Sequence, residues 1–161
     1  MPRRASPDGE GTKSIALNRR ARHDYELLES FEAGLSLLGS EVKSLRAGRA
    51  DLKDSYGLIE QGEAWLVDLH ISPYQFAWEG GHEPGRTRKL LLHRGEIERI
   101  RGKLDQRGLT LIPLRLYFKQ GKVKVEIALA KGKAQYDKRE TLKRRQAERE
   151  MQRAMRHKSL D

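Results

Sequence analysis

Phe31-Glu-Ala-Gly-Leu-Ser-Leu-Leu-Gly-Ser-Glu-Val-Lys-Ser-Leu-Arg-Ala-Gly-Arg49 changes its period partway along. Phe31, Ala33, Leu35 and Leu37 alternate with Glu32, Gly34, Ser36 and Leu38, the spacing of a strand with one apolar face. Gly39 breaks that spacing, and Ser40 is placed to cap a short helix. Glu41 falls in its first turn, where a negative charge suits the positive end of the helix dipole. Val42 and Leu45 share one side of this helix; Lys43 and Arg46 share the other, and Ala47-Gly48 ends it. A strand therefore runs into a plug-like helix with a basic outer face. As pattern alone, the same residues also fit a strand–helix corner with solvated charges.

Strand and turn signals recur outward from this stretch. Tyr25 to Leu37 reads as one long strand, with Glu29 the one polar residue on its apolar face. Tyr56–Glu60 and Glu63–His70, joined by Gln61-Gly62, read as a hairpin with Trp65, Val67 and Leu69 on one face. Trp65 is either a platform for stacking RNA bases or a core residue, and its aliphatic neighbours favour the core. A loop spans 73–88 and contains Trp78, a second stacking candidate. It ends in Arg86-Thr87-Arg88-Lys89, a candidate phosphate rail beside Leu90-Leu91-Leu92. Residues 94–107 are predicted helical, with Ile97, Ile100 and Leu104 on one stripe and Gly108 as the stop. Leu109–Phe118 is a strand in which Pro113 marks an edge or a bulge. Lys122–Leu129 alternates without exception, turning Val123, Val125, Ile127 and Leu129 inward. The expectation is a mainly β fold with peripheral helices: a small antiparallel β-barrel of the oligonucleotide-binding (OB-like) kind, plus a basic C-terminal tail.

The chain has 161 residues, enough for one domain with extensions. Residues 1–13 are expected to form a disordered arm and 14–130 the barrel. Residues 131–161 are expected to be a tail, disordered when free and helical when bound. Hydrophobic residues are 37% and charged residues 35%, with net charge +10 and pI ≈ 10.0. That surplus points to an anionic partner, nucleic acid or a membrane surface. No apolar signal core and no run near the ~18 residues needed to cross a bilayer is present, so a cytoplasmic protein without a membrane role is expected. From Lys131 onward there are eleven basic and five acidic residues, which places +6 of the net charge in the tail. Leu142, Ala147, Met151 and Met155 give the tail only a sparse apolar stripe. Arg19, Arg20 and Arg22 form a second cluster suited to phosphate contact.

Catalytic chemistry finds little footing. There is no cysteine, and His23, His70, His82, His93 and His157 lack the spacing of a helical metal motif. Gly34-Leu35-Ser36 begins like a nucleophile elbow without its closing glycine, and Glu32 and Glu41 read as surface carboxylates. No enzyme activity, cofactor or metal is expected.

Four separated strings are together highly specific: Asn18–Tyr25; Glu32-Ala33-Gly34 with Gly39–Arg46; Arg86–Leu92; and Gly132–Arg139. They closely resemble the small protein B (SmpB) family, and the resemblance runs from about Ser14 through the tail. It implies a non-enzymatic OB-like barrel that binds the tRNA-like domain of transfer-messenger RNA (tmRNA). The family delivers that RNA to stalled ribosomes for trans-translation, the rescue and tagging of incomplete proteins. A monomer is expected, with tmRNA and the ribosome, including small-subunit rRNA, as partners. By position, Asn18, Glu32, Leu91 and His93 match RNA-facing sites, although the family often has asparagine at 93. Arg19, Arg20, Arg22, Lys43, Arg46, Lys89, Lys124, Lys131 and Lys133 would add sequence-independent attraction. His23, Tyr136, Asp137, Lys138, Arg139 and Met155 match ribosome-contacting positions. Ala134 stands where the family usually has a second lysine, and Ala154 where some members carry a bulkier apolar residue. A second reading is a ribosome-associated structural protein binding rRNA through the same barrel.

Overall fold

A computed structural model describes residues 11–76, 81–106, 108–133 and 146–155. The elements are β1 (Thr12–Leu17), α1 (Ala21–Asp24), β2 (Tyr25–Leu35), α2 (Gly39–Arg46), β3 (Ala50–Asp51), β4 (Tyr56–Glu60), β5 (Glu63–Val67), β6 (His70–Ile71), β7 (Arg88–Leu91), α3 (Arg94–Leu104), β8 (Leu109–Lys119) and β9 (Lys122–Gly132). Thr12 and Lys13, assigned to the arm from sequence, already belong to β1. Residues 146–155 form a further helix, with every side chain exposed.

β3 and β6 form a separate two-stranded pair. The other seven strands make one antiparallel sheet in the order β1-β8-β4-β5-β7-β2-β9, in which β9 pairs again with β8. That last pairing closes the sheet on itself, so β8-β4-β5-β7-β2-β9 is a barrel and β1 flanks it. The mainly β barrel expected from the alternation is what the chain forms. Alternation along each strand sends one set of side chains into a shared core. Across neighbouring strands Ala33, Val125 and Leu116 lie side by side and are fully buried. Leu45 of α2 and Ile100 of α3 enter the same cluster, with Ile97 and Leu104 packed against it. Both helices thus pack on the barrel through an apolar stripe.

The local signals acted largely as expected. Gln61 (φ 54°) and Gly62 (φ 75°) give the two left-handed positions of a tight hairpin turn between β4 and β5. Pro113 sits at a bulge in β8, between Pro113 and Arg115. Four readings change. β2 ends at Leu35 rather than Leu37, and α3 ends at Leu104, before residue 107. The α2 cap is Leu38, not Ser40; the Leu38 amide donates to Glu41 Oε1 (2.8 Å) while the Ser40 hydroxyl bonds His82 Nδ1 (2.9 Å). Trp65 is not in the core. Ala64 and Leu66 are the buried residues of β5, and Trp65 lies half-buried on the outer face between Leu58 and Lys89. Asp68, at φ 61°, resets the alternation, so Leu69 is buried although Val67 is only half-buried. Trp78 lies outside the described residues.

β4 and β8 meet through the pair Gly57–Leu111, a seam in the closure. A Cβ on Gly57 would stand 2.5 Å from Leu111 Cδ2 and 3.2 Å from its Cβ. Glycine is required there by close approach rather than by a turn. Gly57→Ala is expected to lower stability by about 1–3 kcal/mol through overpacking. Urea unfolding followed by circular dichroism checks this, and an unchanged midpoint would show the seam to be loose.

Candidate nucleic-acid interface

Arg88 lies at an inward-facing position of β7, in step with buried Leu90. Its guanidinium donates to Glu41 Oε2, to the Leu69 carbonyl, to the Arg86 carbonyl (3.1 Å) and to the Pro84 carbonyl (3.0 Å). Arg86 donates to the other Glu41 oxygen through Nη2 and through Nε (3.1 Å). Glu41 and Arg88 are both 0% exposed. The expected phosphate rail is therefore corrected: Arg86 and Arg88 are spent on Glu41, and Lys89, paired with Glu63, is the one cation of the string that lines a groove. Glu41 is likewise not a surface carboxylate. The signals were present, since Arg88 shares the face of Leu90 and Glu41 precedes Leu45 by four residues.

Burial alone would raise the Glu41 carboxyl. Hydrogen bonds from Arg86, the Leu38 amide and Arg88, with the Arg88 charge, outweigh it and hold Glu41 below the ordinary 4.5. A depressed folded value means the stability Glu41 contributes is complete above about pH 4.5. It is lost as pH falls through the depressed value.

Glu32 heads a second network, on the barrel exterior. Across β2, β9 and β8, Glu32 lies beside Glu126 and Glu126 beside Arg115. Two carboxylates directly opposite one another repel. Arg115 pairs with Glu126 (3.2 Å), while Tyr117 Oη donates to Glu32 and Lys119 Nζ lies 3.2 Å from both Glu32 oxygens. The Tyr117 hydrogen bond, then Lys119 and the Lys124 charge, keep Glu32 below 4.5 despite some burial. Burial, and next the bond to Glu32, push the Tyr117 phenol up. Glu32 is thus ionised at neutral pH and can only accept hydrogen bonds. Sequence reasoning missed Tyr117 and Lys119, whose approach to Glu32 is set by strand pairing 85 and 87 residues away.

A groove gathers Glu32 from β2, Lys89 and Leu91 from β7, His93 at the α3 N-cap and Lys124 from β9. Five of the predicted RNA-facing residues are therefore neighbours. Lys89 is held by Glu63 (3.0 Å), and Leu91 is 52% exposed although apolar. Gly34 is its partner across the ladder, with an added Cβ only 3.1 Å from Leu91 Cβ, so a side chain there would push Leu91.

The other predicted residues lie elsewhere. Asn18 uses its amide on the Pro113 carbonyl (2.9 Å) and its backbone N–H on Leu114 (2.8 Å), pinning the basic turn to the β8 bulge. Arg19, Arg20, Arg22 and His23 are exposed around α1, with His23 Nδ1 2.9 Å from Asp24. Lys133 donates its N–H to the Asp24 carbonyl (3.2 Å) and Lys131 pairs with Glu26, so exposed Lys131 and Lys133 join this end. Along β9 it lies about 23 Å from Lys124, at ~3.3 Å per residue. Lys43 and Arg46 stand on the exposed face of α2. Met155 is 71% exposed on the helix at 146–155. Ala134, Tyr136, Asp137, Lys138 and Arg139 lie outside the described residues. Among the described residues no cluster of His, Cys, Asp or Glu is placed to hold a metal, and no helix is long and apolar enough to cross a membrane.

Comparison with known proteins places the chain in a family. A family model described as "SmpB protein" matches residues 15–157. The SsrA-binding protein of Nostoc punctiforme is 59% identical over 151 residues, covering 93% of this chain and 97% of that one. That of Gloeothece citriformis is 61% identical over 145 residues, covering 89% and 94%. A solved structure described as "tmRNA-SmpB: a journey to the center of the bacterial ribosome" is 52% identical with TM-score 0.63, covering 74% of this chain and 85% of that one.

Arg88→Ala would leave a buried carboxylate beside Arg86 alone, and a loss of about 3–5 kcal/mol is expected. The double change Glu41→Gln with Arg88→Met should restore part of it. Denaturant midpoints at pH 7 decide, and a single variant as stable as the parent would remove the ion pair from the account.

Proposed function

From a chain that belongs to the SmpB protein family, we infer a non-enzymatic RNA-binding protein that holds the tRNA-like domain of tmRNA and carries it to stalled ribosomes. The observation that supports it most is the groove in which an ionised, preorganised carboxylate stands among lysines and one exposed leucine. Phosphates cannot bind Glu32. Its remaining lone pairs suit donors that a folded RNA presents, base amino groups and 2′-hydroxyls. Tyr117 and Lys119 hold the carboxylate in place before RNA arrives, so little ordering is needed on binding. Lys89 and Lys124 attract the backbone from either side, and Leu91 offers apolar contact to a sugar or base.

The far end serves a different partner. Arg19, Arg20, Arg22, His23, Lys131 and Lys133 form a cationic end at the root of the tail, aimed at rRNA of the decoding region. Residues 12–132 act as the RNA-holding barrel, since Lys131 and Gly132, expected in the tail, belong to β9, and the chain beyond acts as the probe of the ribosome. The helix at 146–155 supports a tail able to present Met151 and Met155 on a helical surface. The protein works as a monomer in the cytoplasm, where ribosomes stall.

Glu32→Ala is expected to weaken binding to the tRNA-like RNA about tenfold, the value of a hydrogen bond to a charged group, while an arbitrary hairpin of equal length binds as before. Filter binding at one fixed salt concentration reads both. Equal losses on the two RNAs would assign Glu32 to barrel integrity instead.

A further inference from the structure

Tyr74 and Phe76 follow Pro73 in the loop beyond β6, and neither lines the Glu32 groove. Their rings meet edge to face, with centroids 5.6 Å apart and planes at 70°. Tyr74 is half-buried and carries Lys43 Nζ 5.5 Å from its ring centroid. Phe76 is 70% exposed, an unusual place for a phenylalanine in a chain with only three. Arg46 lies one turn along α2 from Lys43, and Arg49 follows the helix; all three cations are exposed.

The base of this loop is fixed. Ser72 N–H donates to the Arg49 carbonyl (3.0 Å), Ile71 N–H to the Pro84 carbonyl (3.0 Å), and Ile71 pairs with Ala50. Buried His82 ties the same point to α2. Its Nε2–H must donate to the Ile71 carbonyl (2.9 Å), so Nδ1 accepts from the Ser40 hydroxyl (2.9 Å). The loop that carries the aromatic pair is therefore tied to the same helix that the Glu41–Arg88 pair anchors. The one carboxylate of α2, Glu41, is buried and neutralised, which leaves the exposed face of the helix positive.

We propose that Phe76, backed by Tyr74, with Lys43 over the Tyr74 ring and Arg46 one turn along α2, is a stacking site for an unpaired nucleotide of bound RNA. The base lies on the open face of Phe76. The two cations take the phosphates on either side. An aromatic face with cations nearby is what a single strand requires, and base–aromatic stacking tolerates any base. The site extends the RNA-binding reading above, and rests on it, by giving the plug helix a grip on single-stranded RNA that the Glu32 groove does not supply.

The test uses the full-length protein and an unstructured ten-nucleotide RNA carrying one 2-aminopurine, whose fluorescence is quenched on stacking. Phe76→Ala is expected to reduce quenching and weaken binding about tenfold. Phe76→Tyr should retain both, and Phe76→Leu should behave like alanine. Lys43→Gln should lower the slope of log affinity against log salt by about 0.7, one phosphate on a single strand. Melting curves confirm that each variant is folded. Parent-like quenching and affinity in Phe76→Ala would overturn the proposal. So would full retention in Phe76→Leu, which would show that an apolar contact rather than aromatic stacking holds the RNA. Preference of the parent for tRNA-like RNA over a hairpin is measured alongside. Its absence would unseat the groove reading and leave the Phe76 result standing, and the reverse also holds.

Discussion

The buried contact between Glu41 and Arg88 is the constraint on which the rest of the structure depends. Two charges without solvent are costly unless each is fully engaged. Here the carboxylate takes donors from Arg86, Arg88 and the Leu38 amide, and the guanidinium takes carbonyls from Leu69, Arg86 and Pro84. One interaction thereby fixes four pieces of chain: the start of α2, the end of the β5–β6 connection, the 81–87 loop and the first residue of β7. An apolar pair would pack equally well in several positions. A forked donor facing a carboxylate fits in one. Helix α2 is held at that register, with Leu45 in the core and Lys43 and Arg46 outward.

Barrel closure converts sequence-distant residues into a working surface. β7 can carry Lys89 and Leu91 outward only because Arg88 and Leu90 turn inward. The β2–β9–β8 ladder then sets Glu32 against Glu126 and brings Tyr117, Lys119 and Arg115 to relieve the repulsion. Affinity and selectivity separate on this surface. In the proposed function, lysines and arginines at two ends would provide salt-sensitive attraction to any RNA, while the oriented carboxylate would discriminate. The long β2 and β9 strands hold the two ends apart.

Much of this was legible along the chain, and the misses share a cause. Alternation in 25–35 and 122–129 gave the strands, Gln61-Gly62 the hairpin, Pro113 the bulge, and Ile97, Ile100 and Leu104 the helix, because each is a local signal. The basic string at 86–89 misled because charge was read before phase: Arg88 shares the face of Leu90, and a buried partner 47 residues earlier neutralises it. Trp65 misled through a kink at Asp68 that no alternation rule contains. At the site, Glu32, Leu91 and His93 came from likeness of motif and Lys89 and Lys124 from their charge, and the structure brings the five together. Tyr117 and Lys119 could not be found that way, since only the closed sheet carries them to Glu32. Asn18, chosen as RNA-facing, has its amide committed to Pro113, which gives it a structural task as well.

The central claim is that this barrel selects a folded tRNA mimic, and sequencing the RNA that copurifies with the intact chain from bacterial cells at physiological salt tests it most directly. The account predicts strong enrichment of one small RNA with a tRNA-like end over total cellular RNA. Recovery of ribosomal RNA alone, with no such species enriched, would contradict it and favour a structural ribosomal protein.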